Sequence, residues 1–337
     1  MASPLEYLPG FTLDQYVDFL HRNHQDLYQL LDDKRYADNA CILRESLIVM
    51  SSEFESKTVG GRGDTYRDAR LAEPLMRLEG FKELLRLIDS TTVATNGPKK
   101  VKVLDALGGC GALARQLAFV GKIADRFQVI TSDISPSMIL TAIRDGLPAL
   151  RQAASYMLLR DGCMESILFA YGTHHIPVAE RVACLREAYR VLKPGGSVVI
   201  QDFEEGTSTA RWYSELLHNN TATGHNHYHF TRESMIAMLN EAGFSDAGLR
   251  EVDDSFRVDD VTAEVATSRL LKHLATLFGI VTFPPAERWT KADETAFAQA
   301  IKPYSAATGD GVKLSSKSGM VTATFSRVAL VGIGVKR

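Results

Sequence analysis

The chain has 337 residues, of which 45% are apolar and 23% charged. This is an ordinary globular balance, with enough chain to bury a core unaided by disulfide or metal staples. With 38 Lys and Arg against 41 Asp and Glu, the net charge of −3 offers no footprint for nucleic acid or an anionic membrane. The cysteines Cys41, Cys110, Cys163 and Cys184 form no C-x-x-C pair, so a reduced, cytoplasmic setting is expected rather than a disulfide framework. The first residues lack the basic and apolar regions of a secretion signal. No stretch reaches the roughly 20 apolar residues that span a bilayer.

Residues 1–98 read as helical. Thr12 caps a helix and Gln15 completes a capping box. Tyr16, Leu20, Leu27 and Leu31 follow at helical spacing. Further helices are expected over 40–54 and 74–88, with a flexible glycine loop over 58–68 and a linker over 91–100. At Val101 the character changes. The run 101–107 is β-branched and apolar without alternation, which suits a central parallel strand covered on both faces. A glycine turn and a helix follow, then a strand ending at Asp133. Next comes a helix capped by Ser135, with Pro136 at its first position. Strands over 166–172 and 197–203 flank an amphipathic helix that stops at the turn Lys193–Gly196. This β-α-β-α order implies a doubly wound α/β sheet. Residues 204–229 read as loop. A helix capped by Thr231 follows, then a strand over 245–257 and helices over 261–279 and 290–302. The end of the chain alternates as a last strand.

The strongest chemical signal is the segment 103–115. A strand ends at Asp105, and Gly108, Gly109 and Gly111 let the backbone turn tightly and approach a ligand. Asp133 lies 28 residues on, at the tip of the second strand, where a carboxylate can accept hydrogen bonds from both hydroxyls of a ribose. Gly109, Gly111 and Ala114 also fit a dinucleotide fingerprint.

The combination of Asp105-x-x-Gly-Gly-x-Gly with the segments 130–138, 170–177 and 186–196 resembles the class I S-adenosylmethionine-dependent methyltransferases over about residues 100–250. Asp105 and the Lys193–Gly196 turn favour this family over a nicotinamide site. The resemblance implies a Rossmann-like, mostly parallel seven-stranded sheet over 99–257, completed by a last strand at 319–337. It also implies a helical lid over 1–98 and a helical insertion over 258–318. S-adenosylmethionine would be the cofactor. Asp105 would face its amino group, Gly108, Gly109 and Gly111 would line the turn, and Asp133 would hold the ribose. Ile134 and Met138 would flank the adenine, and Tyr171 would lie beside the sulfonium. Two departures stand out. Leu107 replaces the family's usual first glycine. Ala154 replaces the acid that usually reads the adenine amino group, leaving that contact to backbone or to Ser155. Tyr66, after the glycine loop, is a candidate for closing over the methionine end.

Sulfonium alkyl transfer needs nucleophile and carbon held in line, and a base only if the nucleophile carries a proton. His174, His175 and His225 are the candidate catalytic groups. Phe203, His227 and Tyr228 are candidate substrate contacts. An extended segment would point His225, His227 and His229 the same way, but no carboxylate accompanies them, so no metal is expected. The expected reaction is methyl transfer to N, O or C of a small molecule. Two alternatives keep the cofactor: its intramolecular cyclisation to azetidine-2-carboxylate and methylthioadenosine, or a non-catalytic or pericyclase-like scaffold. A homodimer is left open.

Overall fold

A computed structural model describes residues 6–35, 38, 54, 61–92, 100–306 and 310–337. The expected helix over 40–54, apart from Phe54, and most of the 91–100 linker lie outside the described residues. Ten strands are described: β1 Val101–Asp105, β2 Phe127–Asp133, β3 Ala149–Arg151, β4 Met164–Ala170, β5 Leu192–Asp202, β6 Gly248–Asp253, β7 Phe256–Asp260, β8 Val312–Lys317, β9 Met320–Phe325 and β10 Val328–Val335. Seven of them form one sheet in the order β3-β2-β1-β4-β5-β10-β6. Its neighbours run parallel from β3 to β5, and β10 is antiparallel to both β5 and β6. The order reverses at β1, between β2 and β4. A crevice therefore opens at the carboxyl ends of these strands, the usual ligand position in such sheets.

The sequence explains the layers. β4 is buried along its whole length, as a strand covered on both faces must be. On one face pack the helices Pro136–Arg144, Val178–Val191 and Arg232–Glu241. On the other lies Leu78–Thr91, through Phe81, Leu84, Leu85 and Ile88. Gly332 and Gly334 of β10 let the helix and turn over 235–244 sit close. A Cβ there would meet Met235 Sδ at 2.7 Å and Phe244 Cβ at 2.7 Å, respectively.

Several boundaries differ from the sequence expectations. The helix Leu13–Asn23 has its Thr12–Gln15 capping box, but it covers the β3 edge rather than the crevice. The Tyr16 hydroxyl donates to the Ala149 carbonyl at 2.5 Å, and Leu20, Leu27 and Leu31 join the main core. Within the expected glycine loop, Gly63–Ala72 is a helix that carries Tyr66. The expected loop at 204–229 contains a helical run over 208–220, including a π-helical turn Trp212–Leu217. Its apolar side chains fill a second core. The expected strand over 245–257 splits into β6 and β7, and the expected last strand into β9 and β10. β7, β9 and β8 form a separate antiparallel sheet. The inserted layer is therefore not purely helical. Ala263–Phe278 packs on that small sheet and on the helix Gly63–Ala72, close to the expected ends of the helix.

Candidate functional site

A cavity of about 790 Å³ opens over the switch point of the sheet. Its floor is the carboxyl end of β1 and the turn that follows. Asp105, Leu107, Gly108 and Gly109 line it, with Asp133, Ile134 and Met138 beside them from β2 and the next helix. Glycine is required here for identifiable reasons. A Cβ on Gly108 would lie 2.8 Å from Asp105 Oδ2 and 3.0 Å from Thr131 Cγ2. Gly109 has φ +55°, and a Cβ there would meet nothing within 4 Å, so its backbone faces open space. Gly111 is also left-handed, at φ +87°, but it serves the fold. A side chain there would collide with Leu147, and the residue does not line the cavity.

Asp133 is held from two sides. Its Oδ2 accepts the Gly109 N–H at 2.9 Å and its Oδ1 the Ser135 N–H at 2.9 Å. Both oxygens are thus fixed by backbone donors, which sets the orientation of the carboxylate at the cavity. Asp105 is 4% exposed. Burial, reinforced by Asp133 and opposed by Arg70, pushes its carboxyl up to about 7. A carboxylate so short of positive charge is suited to receive a ligand's ammonium group.

The walls come from outside the sheet strands. Tyr66, Arg70 and Phe81 form one side, and Tyr171, His174, His175 and Arg181 the next. Thr223, Gly224, Asn226, His227 and Tyr228 face them. Tyr171 sits at φ +63°, a left-handed conformation uncommon for an aromatic residue. Arg77 holds it there, its guanidinium 3.4 Å from the Tyr171 ring centre. Arg181 staples the two rims together. It donates to the Ile176 carbonyl at 3.0 Å, the His174 carbonyl at 3.2 Å and the Tyr228 carbonyl at 2.7 Å.

Behind this wall lies a histidine cluster. His174, 2% exposed, places Nδ1 2.9 Å and 3.0 Å from the carboxylate oxygens of Asp202. Asp202 also accepts the backbone N–H groups of His174 and Phe203, at 2.9 Å and 2.8 Å. Although burial opposes ionisation, the imidazoles of His174 and His229 hold Asp202 below the usual carboxylate range. Burial lowers the pKa of His174 despite Asp202. The ring is therefore neutral, with its proton on Nδ1 facing the carboxylate.

Most predicted site residues are brought together. Tyr66, Asp105, Gly108, Gly109, Asp133, Ile134, Met138, Tyr171, His174, His175, His227 and Tyr228 line the cavity. Four others, besides Gly111, do not. Ala154 packs against the core beside a tight turn in which Ala153 bridges Tyr156, and Ser155 stays in that turn. His225 is buried in the cluster behind the wall, and Phe203 stacks on Tyr213 at 4.9 Å. Sequence reading missed Arg70, Phe81, Arg181 and the pairing of Asp202 with His174. Only the last had a signal, a carboxylate at a strand end.

Residues 104–200 match the methyltransferase-domain family. The ubiquinone/menaquinone biosynthesis C-methyltransferase UbiE of Shewanella frigidimarina is 32% identical over 111 residues, which cover 31% of this chain and 43% of that protein. UbiE of Pseudoalteromonas translucida is 29% identical over 129 residues, covering 36% and 50%. The chain thus spans half or less of the length of these curated relatives. Among solved structures, a SAM-dependent methyltransferase from Archaeoglobus fulgidus aligns over 79% of this chain and 98% of its own, with TM-score 0.44 and 15% identity. Phosphoethanolamine N-methyltransferase 2 of Haemonchus contortus, in complex with S-adenosyl-L-methionine, aligns over 75% and 52%, with TM-score 0.45 and 15% identity. Likenesses this distant carry nothing about substrate or reaction. The match thus places residues 104–200, from the end of β1 into β5, in a methyltransferase domain.

Proposed function

We propose that the chain transfers the methyl group of S-adenosylmethionine to a small-molecule acceptor. One observation carries the reading: a single cavity holds both the Asp105–Gly109 turn with Asp133 and a wall of aromatic and imidazole groups. Its volume lies toward the upper end of the roughly 300–1,000 Å³ of small-molecule sites, which leaves room for a cofactor and a second molecule. The bare turn at Gly108 and Gly109, the pre-held Asp133 carboxylate and the buried Asp105 fit the cofactor. Asp105 would take its ammonium, Asp133 its ribose and Arg70 its carboxylate. When bound, the cofactor supplies an electrophilic methyl on sulfur. The chain's own contribution is to hold the acceptor in line and exclude water, an alignment worth roughly 7–11 kcal/mol at best. Tyr171, Phe81 and Tyr66 supply the apolar walls. His175, His227 and Tyr228 face the acceptor side.

The test is mass spectrometry of the cofactor, incubated with the protein alone and then with panels of quinols, phenols and amines. Intact cofactor in the first case, and S-adenosylhomocysteine with a methylated acceptor in the second, are expected. Methylthioadenosine released without any acceptor would overturn methyl transfer in favour of intramolecular cyclisation.

Asp133→Ala is expected to weaken cofactor binding about tenfold to a hundredfold, since a charge-assisted hydrogen bond is worth roughly 1.5–3 kcal/mol. Calorimetry reads this directly. Unchanged affinity would remove Asp133 from the site.

A further inference from the structure

Five imidazoles, His174, His175, His225, His227 and His229, cluster at and behind one wall of the cavity. Their ring centres are 4.3 Å apart for His174 and His175, 5.1 Å for His174 and His225, and 5.3 Å for His175 and His225. One potential ligand atom from each of these three residues lies within 4.8 Å of the other two. His174 and His225 are buried, and His174 and His175 line the cavity.

We propose that His174, His175 and His225 bind a divalent transition-metal ion of the zinc class, with one coordination position open to the cavity.

His174 supplies the argument. Its Nδ1 is committed to Asp202, which fixes the ring and leaves Nε2 as the lone-pair nitrogen. That Nε2 is buried and has no hydrogen-bond partner among the described residues. Such groups are normally satisfied, so an orphan calls for an explanation. A metal ion supplies one. A carboxylate holding the far nitrogen of a ligating histidine is the usual support of a metal-bound imidazole, because it fixes the tautomer and raises ligand basicity.

Three imidazoles without a thiolate suit zinc and its neighbours rather than calcium or magnesium. Metal–nitrogen bonds of about 2.0–2.1 Å would draw the three nitrogens to roughly 3–3.5 Å apart. A second grouping, His174 with Asp202 and His229, also falls within 4.8 Å. It is fully buried and uses the Asp202 oxygens already bonded to His174 and to backbone. We assign it to the supporting layer. The open position would face the wall formed by His227 and Tyr228. It would take an oxygen or nitrogen donor, such as the hydroxyl or amine of an acceptor. The sequence alone argued against a metal because no carboxylate accompanied the histidines. Asp202 reaches them from another strand.

The experiment uses the untagged full chain, stripped with a chelator and then titrated with Co²⁺ and Zn²⁺ without any methyl donor. It is therefore independent of the transfer reading. Close to one equivalent of Co²⁺ is expected, with the visible absorption of a nitrogen-ligated four- or five-coordinate ion, displaced by Zn²⁺. His175→Ala and His225→Ala should lose that band, and Asp202→Asn should weaken binding about 10–100-fold. His21→Ala, on the N-terminal helix, should retain it. Circular dichroism separates loss of the site from loss of the fold. If His225→Ala fails to fold, the less buried His175→Ala decides. No Co²⁺ band in the wild-type chain, or a band unchanged in His175→Ala, overturns the proposal.

Discussion

Asp254→Ala is expected to cost about 3–5 kcal/mol of stability, the range for breaking a buried ion pair by removing one partner. Asp254 is 1% exposed, in the corner between β6 and β7. Arg77 grips it at 2.7 Å and 2.8 Å through Nη2 and at 3.2 Å through Nε. Arg327, from the corner between β9 and β10, approaches it at 3.2 Å. One carboxylate thus stands between two buried guanidiniums. These belong to the start of the helix that backs the main sheet and to the strands joining the small sheet. Alanine would leave both cations uncompensated. Thermal melting should fall by roughly 5–15 °C. The loss should also reach the cavity, because Arg77 carries the Tyr171 ring, so cofactor affinity is expected to drop with stability. The triple variant Arg77→Met, Asp254→Leu, Arg327→Met should melt closer to wild type, since apolar replacement of a whole buried charge group is often neutral. It should still lose the Tyr171 contact. A melting point of Asp254→Ala equal to wild type would show that water reaches these charges and that the two sheets are held by apolar packing alone.

The parts of the fold and site that were legible in the sequence are those set by local chemistry. Asp105, Gly108, Gly109 and Asp133 could be read because strand, turn and carboxylate follow one another along the chain. Ser135 and Pro136 announced the helix at 136–144, and Thr262 and Thr290 cap the inserted helices close to their expected starts. What failed depended on tertiary neighbours. The run at 208–220 looked like loop because of its flanking Gly, Asn and His residues. Yet Trp212, Tyr213, Leu216 and Leu217 keep helical spacing, and Thr207 caps it. The two-residue break between β9 and β10 hides inside an alternating pattern that reads as one strand. Arg327 is the residue that turns this corner, and its role is invisible without Asp254. Asp202 could be seen at a strand end, but its pairing with His174 was hidden for a similar reason. The residues are 28 apart, and they meet because β4 and β5 run parallel with Ala170 beside Gln201. Asp202 ends β5 and His174 lies in the short turn Thr173–His175 just after β4, and the sheet register brings them together.

That register also explains the placement of Asp105, whose titration gives the last expected result. Cofactor affinity should rise with pH from about 5 to about 7 and then level off. In the free protein Asp105 is pushed up to about 7, so below that pH it is neutral. An ammonium group brought beside it favours the carboxylate, and binding below pH 7 must therefore release a proton. Each pH unit below 7 then costs up to about tenfold in affinity, or about 1.4 kcal/mol. Calorimetry at pH 6 in buffers of different ionisation enthalpy should show close to one proton released per cofactor, and almost none at pH 8.5. The same carboxyl acts in reverse on the free fold. Its pKa is higher folded than unfolded, so the native state binds more protons between about 4 and 7. Stability of the cofactor-free chain falls as pH rises through that window, by up to about 4 kcal/mol from this group alone. Asp105→Asn removes both effects together. It should flatten the affinity profile at a weak level and raise the melting point of the free chain at pH 7.5. An affinity profile that stays steep in Asp105→Asn would place the titrating group elsewhere in the cavity.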